Sequence, residues 1–410
     1  WLKGRRPAWL IRLGLFLYDN LGGRKFLKGT SSLHLSNNKE GVPLKNKYLK
    51  AFEYSDCWIE DSRLVVLNAR DAEIRGAKIN VRTKVVSAEQ INGIWHLTLH
   101  SIIDDAKRVV KAKMIVNAGG PWVEDIIQNK VRLNSSEGVR LVRGSHLITK
   151  KLYEHNKCYF FQGEDGRIIF TIPYETDFTL IGTTDVEHFD ISIKPECTLE
   201  EKKYLVNFAS EYFETKVTID DIVKTYSGVR PLYNDNASSA SAATRDYVLS
   251  IDETLGAPIL NVFGGKITTY RKLSENALDK ISKILPKVGA SWTAGVPLPG
   301  GDFNIEDLES LINKLLKKYN FLDQKWASRL IKAYGTDAFE LLGHCENSKD
   351  LGISFGATLT EKEVIWLIEN EYAKTADDII WRRSKLGLRL SDQEIVILSN
   401  WINDNLTTLR

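Results

Sequence analysis

The chain has 410 residues and a mass of 46.5 kDa, enough for two or three domains with sizeable cores. Hydrophobic residues make up 43% and charged residues 27%, which disfavours a disordered, collagen-like or membrane-spanning protein. The net charge of +3 hides a basic segment, because residues 1–50 hold eleven Lys or Arg against two acidic residues. This segment either attracts an anionic partner, such as a phosphate, a nucleic acid or a membrane surface, or forms a solvated basic face.

The four cysteines lie far apart and form no C-x-x-C pair, so the sequence indicates neither a zinc site nor a disulfide framework. A reducing compartment fits this usage. The chain begins at Trp1, and its one methionine is Met114. We therefore expect it to be a fragment whose N-terminus lies upstream.

The first predicted element is an amphipathic helix from Ala8 to Leu21. It contains Arg12 and Asp19 and is too short and too charged to span a bilayer. The helix either packs on the core of the protein or lies on a membrane surface. Its apolar residues and the nearby basic residues are Trp9, Leu10, Leu13, Phe16, Leu17, Arg5, Arg6 and Arg12.

A helix, three strands and a glycine turn are predicted next. Asp61 is a good N-cap type for a helix that runs to Ala69. Alternating or continuous apolar patterns predict strands over 78–86, 95–100 and 109–116, and the turn covers 117–122. This order indicates an α/β arrangement with a β-meander.

Residues 130–225 follow a mostly period-two pattern, which predicts a large antiparallel sheet with one face toward a cavity. Strands are predicted over 140–148, 158–162, 167–173 and 178–184, and a helix over 199–213. A polar loop (231–241), two short strands (247–251 and 258–263) and a helix (268–285) follow. The Pro- and Gly-rich stretch 295–302 predicts a linker, and 303–410 is predicted to be a separate all-α domain.

The most informative motif is the glycine turn before the predicted helix at 268–285. Gly264 and Gly265 end a strand and expose backbone N–H groups, which suit an anion or an electron-rich ring edge. Lys266 adds a positive charge. When a flavin accepts a hydride, negative charge develops over its pyrimidine edge, and a cation about 4 Å away is worth up to about 4 kcal/mol. The alternative is a helix-starting turn with a surface lysine.

Three further side chains could act on a substrate. Arg230 and Arg245 follow the predicted sheet and could bind a phosphate or carboxylate through their guanidinium forks, although structural salt bridges are the commoner use. His146 lies in a strand that faces the predicted cavity. It is either a proton acceptor for a hydroxyl that is oxidised or a hydrogen-bonded core residue. The turn 182–185 either binds a ligand or closes a hairpin.

Several motifs are absent from the sequence. It contains no G-x-G-x-x-G after a strand, no P-loop, no H-E-x-x-H and no G-x-S-x-G elbow. The enzyme classes that depend on these motifs lose support.

Together, these residues resemble the FAD-dependent, respiratory glycerol-3-phosphate dehydrogenase family almost from end to end. The matching segments are 6–12, 15–19, 52–58, 116–122, 143–146, 181–185, 226–232, 244–247 and 262–272, with 376–378 and 381–383 in the helical tail. Their order and spacing agree with the family throughout, which is far more specific than any one segment.

The resemblance implies a glutathione-reductase-like FAD domain interleaved with an antiparallel, α+β substrate domain and followed by an all-α C-terminal domain. The expected boundaries are 1–50 for a basic segment facing substrate or membrane, 51–129 and 226–295 for the FAD domain, 130–225 for the substrate domain and 303–410 for the helical domain. Family members begin with a strand–G-x-G-x-x-G–helix unit that would precede Trp1. We therefore expect the isolated fragment to purify without bound flavin.

The implied reaction is oxidation of sn-glycerol 3-phosphate to dihydroxyacetone phosphate, with electrons passed from reduced FAD to membrane quinone. By resemblance, Arg230 and Arg245 hold the substrate, and His146 is the candidate base. The implied flavin contacts are Val85, Asn117, Ala118, Gly119, Trp122, Gly265, Lys266 and Thr268. The resemblance further implies a cytoplasmic enzyme on the inner face of the cytoplasmic membrane and leaves a homodimer open.

Two other functions remain open at this point. An FAD oxidoreductase of the amino-acid-oxidase type shares the interleaved architecture but needs neither two cavity arginines nor the helical tail. A noncatalytic protein could bind nucleic acid or membrane through residues 1–50. No RNA-binding signature accompanies that segment, so we expect no nucleic-acid partner.

Overall fold

The computed structural model describes residues 6–21, 27–234, 246–285 and 289–406. The chain forms two units, one of residues 1–57 and 84–287 and the other of residues 58–83 and 288–410. The helices are α1 (Ala8–Asn20), α2 (Asp61–Ile74), α3 (Val123–Asp125), α4 (Leu199–Tyr212), α5 (Tyr270–Ile281), α6 (Leu308–Lys318), α7 (Gln324–Tyr334), α8 (Asp337–Leu342), α9 (Glu361–Asn370), α10 (Ala376–Arg382) and α11 (Asp392–Asn405).

The strands of the first unit are β1 (Ser31–His34), β2 (Lys50–Glu53), β3 (Thr83–Ile91), β4 (Ile94–Ser101), β5 (Lys107–Ala112), β6 (Ile115–Asn117), β7 (Val139–Lys150), β8 (Tyr159–Gln162), β9 (Ile168–Tyr174), β10 (Phe178–Gly182), β11 (Val186–Glu187), β12 (Ile222–Tyr233), β13 (Tyr247–Asp252) and β14 (Ile259–Gly264). The second unit adds a hairpin of β15 (Ser354–Gly356) and β16 (Leu359–Thr360).

The largest sheet of the first unit is antiparallel and centres on β7. This strand pairs with β10, β11 and β12, while β9 and β8 extend the sheet beyond β10. Helix α4 covers one face and begins with a capping box between Thr198 and Glu201. The core between helix and sheet includes Leu147, Ile169, Ile181, Leu205 and Ala209, all fully buried. This burial fixes which side chains of β7 face α4 and which face away.

A second sheet has the order β13–β14–β6, in which β14 is parallel to β6 and antiparallel to β13. The meander β3–β4–β5 packs on it through Trp95, which is fully buried and donates its indole N–H to the Pro258 carbonyl at 2.8 Å. The parallel pair is the feature that matters for function, because both of its strands run into glycine turns at their carboxyl ends.

The second unit combines α2 with the helices α6 to α11, whose buried apolar residues form one core. A buried ion pair ties α2 to this core: Arg63 of α2 is bound to Glu371, whose side chain is 0% exposed. A second buried carboxylate, Glu363, accepts two hydrogen bonds of 2.7 Å from Arg329. The structure thus groups 58–83 with the C-terminal helices, and the boundaries proposed from the sequence stay predictions.

The predicted fold class is confirmed by the two kinds of sheet and the helical C-terminal region, which contains only the short hairpin β15–β16 besides its helices within the described residues. Two strand predictions were wrong in detail. The segment 109–116 forms two strands, β5 and β6, that belong to different sheets. Strand β3 begins at Thr83 instead of Lys78, because Arg82 has a left-handed φ of 54° that interrupts extended backbone.

The polar loop predicted at 231–241 was wrong for its first three residues. Strand β12 runs through Pro231 to Tyr233, and Tyr233 pairs with Val139 of β7. Proline lacks a backbone donor, but β12 pairs with β7 alone among the described strands, so its other edge needs no N–H there. Residues 235–241 lie outside the described residues.

We expect Glu371→Gln to lower the free energy of unfolding by about 3–5 kcal/mol, because it leaves the buried Arg63 guanidinium without a counter-charge. Asp71→Asn is the matched control, since Asp71 pairs at 3.0 Å with Arg75, whose side chain is 45% exposed. That change should cost less than about 1 kcal/mol. Urea unfolding followed by tryptophan fluorescence measures both; equal effects would contradict the prediction.

Candidate functional site

The carboxyl ends of β6 and β14 lie at the same edge of their sheet because the two strands are parallel. Asn117, the last residue of β6, is 3% exposed and donates its side-chain amide to Asn261 and to the Val123 carbonyl, each at 3.0 Å. Its side-chain oxygen accepts the Gly119 N–H at 3.3 Å. Asn117 therefore fixes the turn after β6 against β14. The flanking Ala118 and Trp122 are exposed.

The turn after β14 contains two glycines with positive φ, 67° at Gly264 and 102° at Gly265. A β-carbon on Gly264 would lie 3.0 Å from the Asp246 carbonyl and 3.5 Å from the Tyr233 N. Only glycine fits this conformation and this approach. The turn therefore lies against the end of β12, and Lys266 and Thr268 are exposed directly after it.

His146 of β7 lies opposite Tyr226 of β12 and Gly182 of β10. Its ring stacks on Tyr226 with centroids 4.8 Å apart and an interplanar angle of 9°. Burial, and secondarily the charge of Arg230, lowers the pKa of His146 to about 4. Its buried Nδ1 has no hydrogen-bond partner among the described residues. The imidazole is thus neutral near pH 7, and the hydrogen-bonded core alternative does not describe it.

Arg230 lies on the same face of the sheet as His146, four residues along β12 from Tyr226. It forms an ion pair with Asp185 and donates to Thr183 Oγ1 at 3.3 Å. Its guanidinium lies over Gly144, where a β-carbon would be 2.7 Å from Nη2. The salt-bridge alternative is therefore realised, yet 39% of the side chain remains exposed.

A floor of glycines separates the two functional side chains. Gly144 and Gly228 face each other across β7 and β12, and a β-carbon on Gly228 would have no neighbour within 4 Å. Open space therefore lies over Gly228, whereas the Arg230 guanidinium and Thr183 Oγ1 cover Gly144. A neutral imidazole and a half-exposed guanidinium on one face of the sheet are the kind of polar groups that orient a small ligand.

The structure brings most of the predicted residues together in the first unit. Val85 lies in the same unit but in β3 of the meander, and Arg245 lies outside the described residues. Sequence reasoning missed Tyr226 as the stacking partner of His146 and left the turn 182–185 open between two readings. It also missed Glu201, a buried carboxylate behind the sheet. The one local signal for this residue is the T-x-x-E pattern at Thr198, which is typical of a helix cap.

The residues at the edge of the β6–β14 pair fit an isoalloxazine ring. The exposed Lys266 has no side-chain partner among the described residues, so its charge is available to an electron-rich ring. The parallel strand ends and their glycine turns allow close approach of a flat group to backbone. These features agree with the FAD site that the resemblance implied.

Two family models match the chain. The model for FAD dependent oxidoreductases matches residues 16–271, more than half of the chain. The model for the C-terminal domain of alpha-glycerophosphate oxidase matches residues 291–400. The chain belongs to the FAD-dependent oxidoreductase family.

Individual relatives agree with this family. The chain is 44% identical to D-erythritol 1-phosphate dehydrogenase of Brucella abortus over 97% of its length and 80% of that protein. It is 44% identical to glycerol-3-phosphate dehydrogenase of Pseudomonas aeruginosa over 97% of its length and 77% of that protein. These matches confirm the resemblance to the glycerol-3-phosphate dehydrogenases.

A solved structure agrees in fold. The FAD complex of the Bacillus halodurans glycerol-3-phosphate dehydrogenase superposes with a TM-score of 0.71 at 23% identity, covering 92% of this chain and 82% of that one. The predicted arrangement of an FAD fold followed by a helical C-terminal domain is thereby confirmed.

We expect Gly182→Ala to destabilise the protein by about 1–3 kcal/mol, because its β-carbon would lie 2.2 Å from His146 Cδ2 and force the ring to move. Gly228→Ala is the matched control in the same sheet. It should be neutral or stabilise by up to about 1 kcal/mol, since alanine favours strand backbone more than glycine does. Chemical denaturation decides; a destabilised Gly228→Ala or an unchanged Gly182→Ala would contradict the packing argument.

Proposed function

We propose that this protein oxidises sn-glycerol 3-phosphate to dihydroxyacetone phosphate. The observation that carries the proposal is the pair formed by neutral His146 and Arg230 over the glycine floor, in a chain of the FAD-dependent family. FAD supplies the acceptor for the hydride that leaves C2 of the substrate. The family relatives that are named for glycerol 3-phosphate and erythritol phosphate support a phosphorylated polyol as the substrate.

Arg230 holds the substrate through guanidinium donors that Asp185 and Thr183 leave available. Arg245, the second arginine predicted from the sequence, binds the phosphate. His146 accepts the proton of the C2 hydroxyl while the C–H bond breaks, so the alcohol loses one proton and one hydride and becomes a ketone. A pKa of about 4 makes the imidazole a weak base. A bound phosphate would counter the field of the arginine and raise this basicity.

The cofactor residues are proposed at the shared strand edge. Asn117, Ala118, Gly119 and Trp122 lie along one side of the flavin, and Gly265, Lys266 and Thr268 lie along its pyrimidine edge. Lys266 stabilises the negative charge that develops there. Val85 contacts the adenine through its backbone.

Oxidation of several alcohols tests this proposal and its amino-acid-oxidase alternative. We expect the flavin-loaded protein to reduce an electron-accepting dye with glycerol 3-phosphate. Glycerol should have a kcat/KM lower by about 10²–10⁴, because it lacks the phosphate that charge-assisted hydrogen bonds recognise. D-erythritol 1-phosphate, glycine and sarcosine complete the panel. A preference for sarcosine or glycine would establish the alternative, and a preference for erythritol phosphate would change the assigned polyol.

His146→Asn should lower kcat by about 10²-fold or more if the imidazole is the base. His96→Asn is its control, because His96 lies in β4 of the meander. Equal rates in the two variants would remove His146 from the reaction.

Electrons are proposed to leave for a membrane quinone, with α1 as the contact with an anionic cytoplasmic leaflet. None of the residues of α1 is buried. Trp9, Leu13, Phe16 and Leu17 share one face and are 68%, 49%, 54% and 50% exposed. By contrast, the apolar residues Leu311, Ile312 and Leu315 of the amphipathic α6 are buried. Within the described residues no helix is long and apolar enough to cross a membrane.

The same proposal places the enzyme on the inner face of the cytoplasmic membrane and leaves open whether it is a homodimer.

We expect Arg12→Glu to weaken binding to phosphatidylglycerol vesicles about thirtyfold, since it changes the charge by two and each charge near the surface contributes about 1 kcal/mol. Lys317→Glu in α6 is the control for charge reversal. Cosedimentation measures both, and vesicles of phosphatidylcholine alone should not distinguish them. Unchanged binding of Arg12→Glu would make α1 a structural element.

A further inference from the structure

One carboxylate behind the substrate sheet is bonded to residues next to both His146 and Arg230. Glu201 lies in the first turn of α4 and is 5% exposed. Its Oε1 accepts hydrogen bonds from Thr184 Oγ1 at 2.6 Å and Ser145 Oγ at 2.8 Å. Its Oε2 accepts from Arg143 at 2.9 Å and from the Thr198 N–H at 2.9 Å. Four donors thus converge on one buried side chain.

Each of the two partners on Oε1 is adjacent in sequence to a residue of the site. One is next to His146, and the other is next to the residues that bind Arg230. Ser145 precedes His146 on β7, so its side chain points to the opposite face of the sheet. Thr184 lies between Thr183 and Asp185, which hold Arg230. Thr184 Oγ1 also accepts the Ser145 N–H at 3.0 Å. The strand that carries His146 and the turn that holds Arg230 are therefore joined directly behind the site.

We propose that Glu201 is a positioning residue that fixes His146 and the Arg230-binding turn relative to each other. The inference rests on the proposed function and deepens it, because it assigns a role to a residue that contacts neither substrate nor cofactor. The distance from the imidazole to the guanidinium decides whether a substrate can reach both. A misplacement of about 1 Å can cost roughly 100-fold in rate.

The charge of Glu201 is suited to this role. Burial would raise its pKa, but the hydrogen bonds from Thr184, Thr198 and Ser145 and the charge of Arg143 outweigh burial and hold the pKa below its ordinary value. The side chain is therefore an acceptor at both oxygens near pH 7. Glutamine has the same shape but no charge, so Glu201→Gln removes the anion that pairs with Arg143. To keep the Arg143 and Thr198 donors on its oxygen, it must present its NH₂ to Ser145 and Thr184, whose hydroxyls then have to turn from donors into acceptors.

The attachment of α4 does not depend on this carboxylate alone. Leu205, Val206, Phe208 and Ala209 bury the apolar face of the helix against the sheet. Loss of Glu201 contacts should therefore loosen the link between β7 and the 182–185 turn while α4 stays in place. A purely structural carboxylate would instead lower stability without altering the site.

The experiment compares Glu201→Gln with Glu200→Gln in the flavin-loaded protein. Glu200 precedes Glu201 in the same first turn but is exposed, so its variant controls for the loss of a negative charge near the helix start. We expect Glu201→Gln to lower kcat/KM for glycerol 3-phosphate about 10- to 100-fold and Glu200→Gln to change it less than about twofold.

The second readout does not use turnover. The ¹⁵N resonances of His146, assigned by their loss in His146→Asn, report its titration. We expect the pKa of His146 to move up from about 4 toward its ordinary value in Glu201→Gln, because a displaced ring gains contact with water, and to stay in place in Glu200→Gln. Unchanged kinetics and titration in Glu201→Gln would overturn the inference, as would a fall in melting temperature alone.

Thr184→Val keeps the test decisive if Glu201→Gln does not fold. It removes the hydroxyl that joins Glu201 to the Arg230-binding turn, so it should raise KM for glycerol 3-phosphate more than it lowers kcat; equal KM values would count against the inference.

The activity of the wild-type protein distinguishes failure of this inference from failure of the proposed function. If the wild type oxidises none of the polyol phosphates, the proposed function fails, whereas an active wild type with an unaffected Glu201→Gln refutes the positioning role alone.

Discussion

The pairing of β7 with β12 is the constraint on which the rest of the site depends. Its register sets His146 opposite Tyr226, Gly144 opposite Gly228 and Val142 opposite Arg230. Side chains alternate between the two faces of a strand, so a slip of one residue would turn a functional side chain toward α4. The buried core between α4 and the opposite face excludes such a slip, because it would expose Leu147 and bury a guanidinium. Hydrophobic packing on one face thereby sets the chemistry of the other.

The same pairing imposes a conflict on the imidazole. Burial beside a guanidinium keeps His146 neutral, as the proposed proton acceptor must be, but it also lowers the affinity of the imidazole for a proton. The ion pair of Arg230 with Asp185 reduces the conflict by balancing part of the charge. Binding of an anionic substrate reduces it further. On this view the site is tuned for the phosphate ester, and a neutral alcohol would meet a weaker base.

The sequence predicted the parts of the molecule that have local signals. The family resemblance, the strand–glycine–helix turns and the functional face of β7 all depend on short contiguous segments, and the fold class followed from them. Strand β12 was not among the predicted strands, and its last three residues were assigned to a loop because Pro231 is a turn signal in isolation and is tolerated only at a strand edge. The division of 109–116 into two strands was missed because an apolar run does not reveal with which sheet each half pairs. Glu201 was missed because its partners are as many as 58 residues distant in sequence.

Both faces of the sheet therefore contribute to the site: one carries the functional side chains, and the other carries the hydrogen-bond network of Glu201. On one face, Gly228 leaves its backbone uncovered between Tyr226, which stacks on His146, and Arg230. On the other face, Glu201 accepts hydrogen bonds from the buried hydroxyl groups of Ser145 and Thr184, and Thr184 accepts the Ser145 N–H. An unsatisfied donor at such a position would cost about 1–3 kcal/mol. The polar network persists because breaking it would leave buried donors without partners. The other face stays accessible at Gly228 because glycine carries no side chain. Each requirement restricts the residues of β7 at alternate positions, which explains how the short segment Arg143-Gly144-Ser145-His146 can contain a network partner, a position without a side chain, a second network partner and the proposed base in succession.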